Sequence, residues 1–203
     1  KGVTYIESEA FAYFKSLSSI TFEGDLPYIG SSAFYKCDAL KAVYVNSMET
    51  WLEAEFEGHS ANPLTNGADL YINGKVISTL AIPDGIKTLN ANAFKGGRFT
   101  KVIIPDSVEE IGEYCFYDCT NLSSVVFEGT VPSIGKYCFN DCDALKSVYV
   151  NSMEAWLEAE FEDSYANPLS NGGELYINGV AQGSTLIIPS GIETLPPYAF
   201  SGC

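Results

Sequence analysis

The 203 residues carry 26 acidic and 11 basic side chains, a formal net charge of −15, with 46% of positions hydrophobic and 18% charged. That balance describes a globular chain rather than a disordered one. The shortage of Lys and Arg argues against nucleic acid and anionic membrane surfaces as partners, and no stretch nears the roughly 18–20 apolar residues of a membrane span.

The first predicted strand follows the pattern Leu-x-x-β-x-apolar at Leu17, Ile20 and Phe22. Strand alternation turns Ile20 and Phe22 inward and Thr21 outward. Upstream, Ala10-Phe11 is preceded five residues earlier by Ile6. The same set returns as Ile29, Ala33-Phe34 and Leu40/Val43/Val45. Residues 46–76 interrupt it. "NSMETWLEAEF" reads as a short helix, with Asn46 as its cap and Glu49 as the capping-box partner. Met48, Trp51, Leu52 and Phe56 share one face, which Glu49, Glu53 and Glu57 avoid. "ANPL" and "TNG" break the chain. "LYING" then predicts a short strand entering an Asn73-Gly74 turn. The regular pattern resumes at Ile77/Leu80/Ile82, Leu89, Ala93-Phe94 and Phe99/Val102/Ile104.

Beyond about residue 105 the chain repeats itself. Residues 37–74 and 142–179 agree at thirty of 38 positions at an offset of 105, and one extra residue enters before Pro189. Six Phe residues mark the shorter period: Phe11, Phe34, Phe94, Phe116, Phe139 and Phe200. Their spacings are 23, 60, 22, 23 and 61. One short strand per 22–23 residues means coils that stack, because a single coil cannot bury its own apolar side. The expected architecture is an α/β, β-dominated solenoid spanning 1–203 as one domain. Its super-repeats run about 1–105 and 106–203. One parallel sheet lines one face, the other side is irregular or short-helical, and 46–76 and 151–181 form two enlarged coils, each with a helix on its outer side.

The stretches "IGSSAFYKCDALKAVYV" and "IIPDSVEEIGEYCFYDCTNLSSVVF" resemble the leucine-rich repeat proteins of the BspA-like class, bacterial surface proteins. The two 60-residue intervals depart from that family's simplest form. The resemblance implies a fragment of a longer extracellular, cell-surface protein, with signal and anchor outside these residues. It also implies adhesion to a host or microbial surface protein.

Little points to chemistry. The sole histidine, His59, has Ser164 as its counterpart, so no Ser-His-Asp or Cys-His arrangement is available. There is no Walker or dinucleotide fingerprint, and no cofactor is implied. Cys115, Cys119, Cys138 and Cys142 look like a zinc set. Their columns, however, also hold Phe14, Cys37, Gly97 and Cys203 on one side and Ala10, Ala33, Ala93 and Ala199 on the other. Phe, Gly and Ala cannot ligate metal, so packing is the favoured reading and zinc the competing one. The Glu rows lack the spaced ligands of a calcium loop and read as a solvated face. Trp51 and Trp156 are expected to plug their helices onto the core.

What remains is surface. The outward row reads Thr21, Tyr44, Ala81, Ile103, Val126, Tyr149 and Ile187, with Lys101 in the row beside it. Apolar residues at exposed positions suit a contact face. They equally suit a strand as such. Three functions follow: a non-enzymatic protein-binding face, a passive spacer projecting another domain, and a carbohydrate-binding surface using Tyr44 and Tyr149.

Overall fold

The computed structural model describes residues 2–58 and 60–203, so His59 lies outside the described residues. In chain order the first part runs β1 (Tyr5–Ile6), β2 (Ser19–Phe22), β3 (Tyr28–Ile29), β4 (Ala42–Val45), α1 (Met48–Leu52), a 3₁₀ turn (Pro63–Asn66), β5 (Asp69–Ile72) and β6 (Lys75–Val76). The second part runs β7 (Thr79–Ala81), β8 (Thr88–Leu89), β9 (Lys101–Ile104), β10 (Glu110–Ile111), β11 (Ser124–Phe127), β12 (Ser133–Ile134) and β13 (Ser147–Val150). It continues through α2 (Met153–Leu157), a second 3₁₀ turn (Pro168–Asn171), β14 (Glu174–Ile177) and β15 (Val180–Ala181). Among the described residues no helix is long and apolar enough to cross a membrane.

The ordinary coils contribute strands of three or four residues to one side and of two residues to another. The long strands carry the burial alternation read from the sequence: Val43 and Val45, Val102 and Ile104, and Val125 and Phe127 all point into the core. The short strands pair in parallel through Ile6 and Ile29 in one sheet, and through Leu89, Ile111 and Ile134 in another. Between the two sides, the recurring Phe residues stack coil upon coil. Phe11 lies on Phe34 at 5.1 Å, and Phe94, Phe116 and Phe139 follow one another at 5.5 and 5.4 Å. A single apolar core runs from Ile6 to Ala199.

The enlarged coils keep this order. Phe56 bridges Ile29 where the short-strand column would continue, and β5 pairs in parallel with β4. At the Phe position the enlarged coil has only Ala61, by the register of Phe34 N donating to Ser60 O at 3.0 Å. Trp51 fills the missing volume: it is fully buried, with its ring 5.3 Å from that of Phe56. Trp156 repeats this against Phe161. Both tryptophans therefore plug the core, as their helical face suggests.

Two expectations need correction. The helix cap is Ser47, not Asn46: Ser47 Oγ accepts the Thr50 amide at 3.1 Å, and Ser152 does the same for Ala155. Asn46 is already engaged, since its Nδ2 donates across to Glu23 O at 2.9 Å, and Asn151 likewise reaches Glu128 O. The long strands also form two sheets, not one. The order β2-β4-β5-β6 closes the first, and β7-β9-β11-β13-β14-β15 makes the second. The reason is the Asn73-Gly74 turn, both residues at positive φ, which folds β6 back antiparallel on β5. β7 then starts a new ladder against β9.

Candidate functional site

The outward face is built from the alternate residues of the long strands. Ala81, Ile103, Val126 and Tyr149 fall in one register row, as expected. That row continues to Tyr176 and Ala181 on β14 and β15. Lys101 sits in the adjoining row with Thr79, Ser124, Ser147 and Glu174. Thr21 and Tyr44 belong to the other sheet, in a row with Tyr71 and Val76. Ile187 is 76% exposed and lies outside any strand. The residue it matches, Ala81, is held in β7 by β9; among the described residues no strand follows Ile187 to play that part.

Tyr71 and Tyr176, which are not among the outward residues expected from the repeat, stand beside Tyr44 and Tyr149. Tyr44 and Tyr71 lie 4.7 Å apart between ring centroids, tilted by 32°; Tyr149 and Tyr176 lie 4.7 Å apart and are stacked. The signal was available in "DLYING" and "ELYING", which follow each helix. The parallel register needed to align them with Tyr44 and Tyr149 was not. All four rings are half-buried. The Tyr176 hydroxyl donates to Glu174 Oε2 at 3.0 Å, and that carboxylate pushes the phenol up. At the equivalent place in the first copy, Asp69 pairs with Arg98 at 3.1 Å. Each super-repeat therefore presents one tyrosine pair with a carboxylate at its edge.

The four cysteines lie in the core and are fully buried. Burial pushes the thiols of Cys115, Cys119 and Cys138 up, which keeps them as protonated thiols rather than the thiolates a metal requires. Cys37, Cys119 and Cys142 each donate Sγ–H to the carbonyl of the Phe one coil back, at 3.1–3.2 Å. Among the described residues no group of three or more His, Cys, Asp or Glu is arranged to hold a metal ion. The CFYDC-type motif is thus a rung of the core with an inter-coil hydrogen bond. A thiol titration with Ellman's reagent should find Cys203, the exposed cysteine, reactive in native protein, and the five buried thiols reactive only after denaturation. Rapid native reaction of Cys115, Cys119, Cys138 or Cys142 would contradict the packing described.

A second aromatic row lies on the tight turns just before the Phe position of each coil, which is Phe116, Phe139 and, in the enlarged coil, Ala166. Tyr114, Tyr137 and Tyr165 stack at 5.2 and 5.8 Å with interplanar angles of 14° and 18°. Lys95, only 5% exposed, places its ammonium 5.3 Å from the Tyr114 ring and 4.6 Å from that of Tyr117. Tyr117 is pushed up to about 12, chiefly by its hydrogen bond to the Asp141 carboxylate.

Against known proteins, the sequence profile of the BspA-type leucine-rich repeat region matches in six copies, over residues 1–63 and 67–167. No curated protein matches. A solved structure, described as a leucine-rich repeat protein from Bacteroides ovatus ATCC 8483, is similar at 15% identity and a TM-score of 0.41. That likeness covers 87% of this chain and 56% of the other, so this chain spans little more than half of that protein's length.

Proposed function

The chain belongs to the BspA-type leucine-rich repeat family, and from that premise we propose that it is a non-enzymatic binding solenoid of a bacterial surface or secreted protein, docking a protein partner along its strand face. Leucine-rich repeat proteins are typically protein-interaction modules, and those of this type are typically surface or secreted proteins. The observation that carries the reading is the tyrosine pair found at the same place in both super-repeats. Tyrosine offers large rigid contact area and a polar tip at low entropic cost, which is why it anchors protein interfaces.

The geometry favours a protein over a sugar. A sugar platform needs an open ring face. Here the rings of each pair cover one another, and the register sets Thr21 beside Tyr44 and Val126 beside Tyr149 on the other side. The four rings are half-buried, and the Tyr176 hydroxyl meets the Glu174 carboxylate. Tyr44, Tyr71, Tyr149 and Tyr176 changed together to Ser should weaken adhesion to immobilised host extracellular proteins or microbial cells by about tenfold or more, with the fold unchanged by circular dichroism. Undiminished adhesion by this variant would leave the strand face a spacer surface.

A further inference from the structure

The two super-repeats supply an internal control, because a residue that differs at equivalent places is not demanded by the fold. Apart from conservative changes, a group of differences gathers on the turn side, away from the strand face. Tyr114, Tyr137 and Tyr165 stand where the first copy has Glu9, Ser32 and Ser60. Around them Glu113, Asp118, Asp141 and Asp163 stand where the first copy has Ser8, Tyr13, Lys36 and Gly58. Three rings and four carboxylates have thus replaced other residues of the repeat, and at 163–165 the turn itself differs, since Gly58 and Ser60 are left-handed and Asp163 and Tyr165 are not.

The replacement also runs against local backbone preference. Tyr114 and Tyr137 occupy left-handed conformations, at φ 58° and 56°. A bulky side chain is disfavoured there, and such strain gathers where a surface has a use. The rings are nonetheless held at the surface: Tyr137 is 37% and Tyr165 46% exposed. Two carboxylates beside the rings are pinned by backbone amides. Asp163 accepts the amides of Tyr137, Tyr165 and Ala166, and Glu162 accepts that of Lys136. Glu113, Asp118 and Asp141 are exposed, and Lys136 is the exposed cation among them. Tyr165 stacks on Tyr137 through one ring face and is the most exposed ring of the three.

We infer that this copy-specific tyrosine and carboxylate ladder is a second contact surface, and that it takes an arginine-bearing basic segment of a partner polypeptide. A guanidinium is planar and weakly hydrated. It can stack on an exposed ring such as Tyr165 while its N–H fork meets a carboxylate, a combination lysine cannot reproduce. The net charge of −15 steers such a segment inward, and the ladder retains it. A neutral glycan fits less well, because Tyr137 has both ring faces covered by Tyr114 and Tyr165.

The test uses the Tyr114→Ser/Tyr137→Ser/Tyr165→Ser variant, which leaves the net charge unchanged. Ser32, at φ 58°, shows that serine is accepted in the left-handed conformation that Tyr114 and Tyr137 adopt, and Tyr165 makes no such demand. A fluorescein-labelled octapeptide of alternating arginine and glycine is titrated by anisotropy at physiological ionic strength. Wild type is expected to bind about tenfold or more tightly than the variant, and to lose the same affinity when glutamine replaces arginine in the peptide. Equal binding by wild type and variant would show attraction to net charge alone and overturn the inference, as would absence of wild-type binding. A neutral oligosaccharide bound by wild type and lost in the variant would likewise overturn it, reassigning the ladder to glycan.

Discussion

Trp51→Ala is expected to lower the free energy of unfolding by about 3–5 kcal/mol, measured by urea denaturation. The side chain is fully buried and fills the place left by Ala61 in the Phe column. Its Nε1–H donates to Ala93 O at 2.9 Å, across 42 residues of sequence. Asn62 Nδ2 joins the same carbonyl at 2.9 Å and reaches Asn92 O as well, while Asn62 Oδ1 accepts the Leu64 amide. The tryptophan thus couples the enlarged coil to the next ordinary one. Its loss leaves a cavity there and takes one partner from a buried carbonyl. Trp51→Phe should cost less, because one ring remains to fill part of the site, while the hydrogen bond and the rest of the indole volume go. Trp156 donates to Ala199 O at 3.0 Å in the same manner. A Trp51→Ala protein as stable as wild type would mean that the helix is not docked as described.

Gly112→Ala should destabilise by about 3 kcal/mol, the upper end of what overpacking costs. A β-carbon on Gly112 would stand 2.6 Å from Ala91 N and 2.9 Å from Ala91 Cα, backbone atoms of the preceding coil that cannot turn aside. Gly30 and Gly135 meet Ser8 N and Glu113 N at the same 2.6 Å. All three sit where an ordinary coil packs on an ordinary coil, and Gly112 N donates to Leu89 O at 2.8 Å. Where an enlarged coil precedes, the column instead holds Asn90, whose Nδ2 donates to Leu52 O and Ala54 O. The glycine therefore marks close approach of two backbones, and asparagine a wider gap that a side chain must bridge. Gly24→Ala is the control: nothing lies within 4 Å of its added carbon, and its stability should stay within about 0.5 kcal/mol of wild type.

Part of this molecule is legible without coordinates because stacking makes it periodic. The 105-residue offset and the 22–23-residue Phe spacing specify coils, and alternation within Leu-x-x-β-x-apolar specifies which strand residues enter the core. The apolar spacing of Met48, Trp51 and Leu52 places Trp51 inside, although the helix read over 46–56 ends at Leu52 and Phe56 leaves it to bridge Ile29. The cysteine columns read as packing because their other members cannot ligate. All of these are local rules of side-chain spacing, copied from coil to coil.

The rest depends on contacts between coils, which spacing does not encode. Whether Asn46 or Ser47 caps the helix turns on the Glu23 carbonyl one coil away. One sheet becomes two because β6 folds back where a parallel strand would have extended the ladder. Tyr71 and Tyr176 join Tyr44 and Tyr149 only through inter-strand register, across an interval that the 22–23-residue period does not span. The left-handed turns are hidden because their positions hold Glu9, Ser32, Asn92, Tyr114, Tyr137 and Tyr198, of which only Asn92 advertises that conformation. Sequence by itself determined the repeat, the strands and the buried side of each coil, because those follow from local periodicity. Only the tertiary structure decided which exposed rings stand together, because that is set by how neighbouring coils pair.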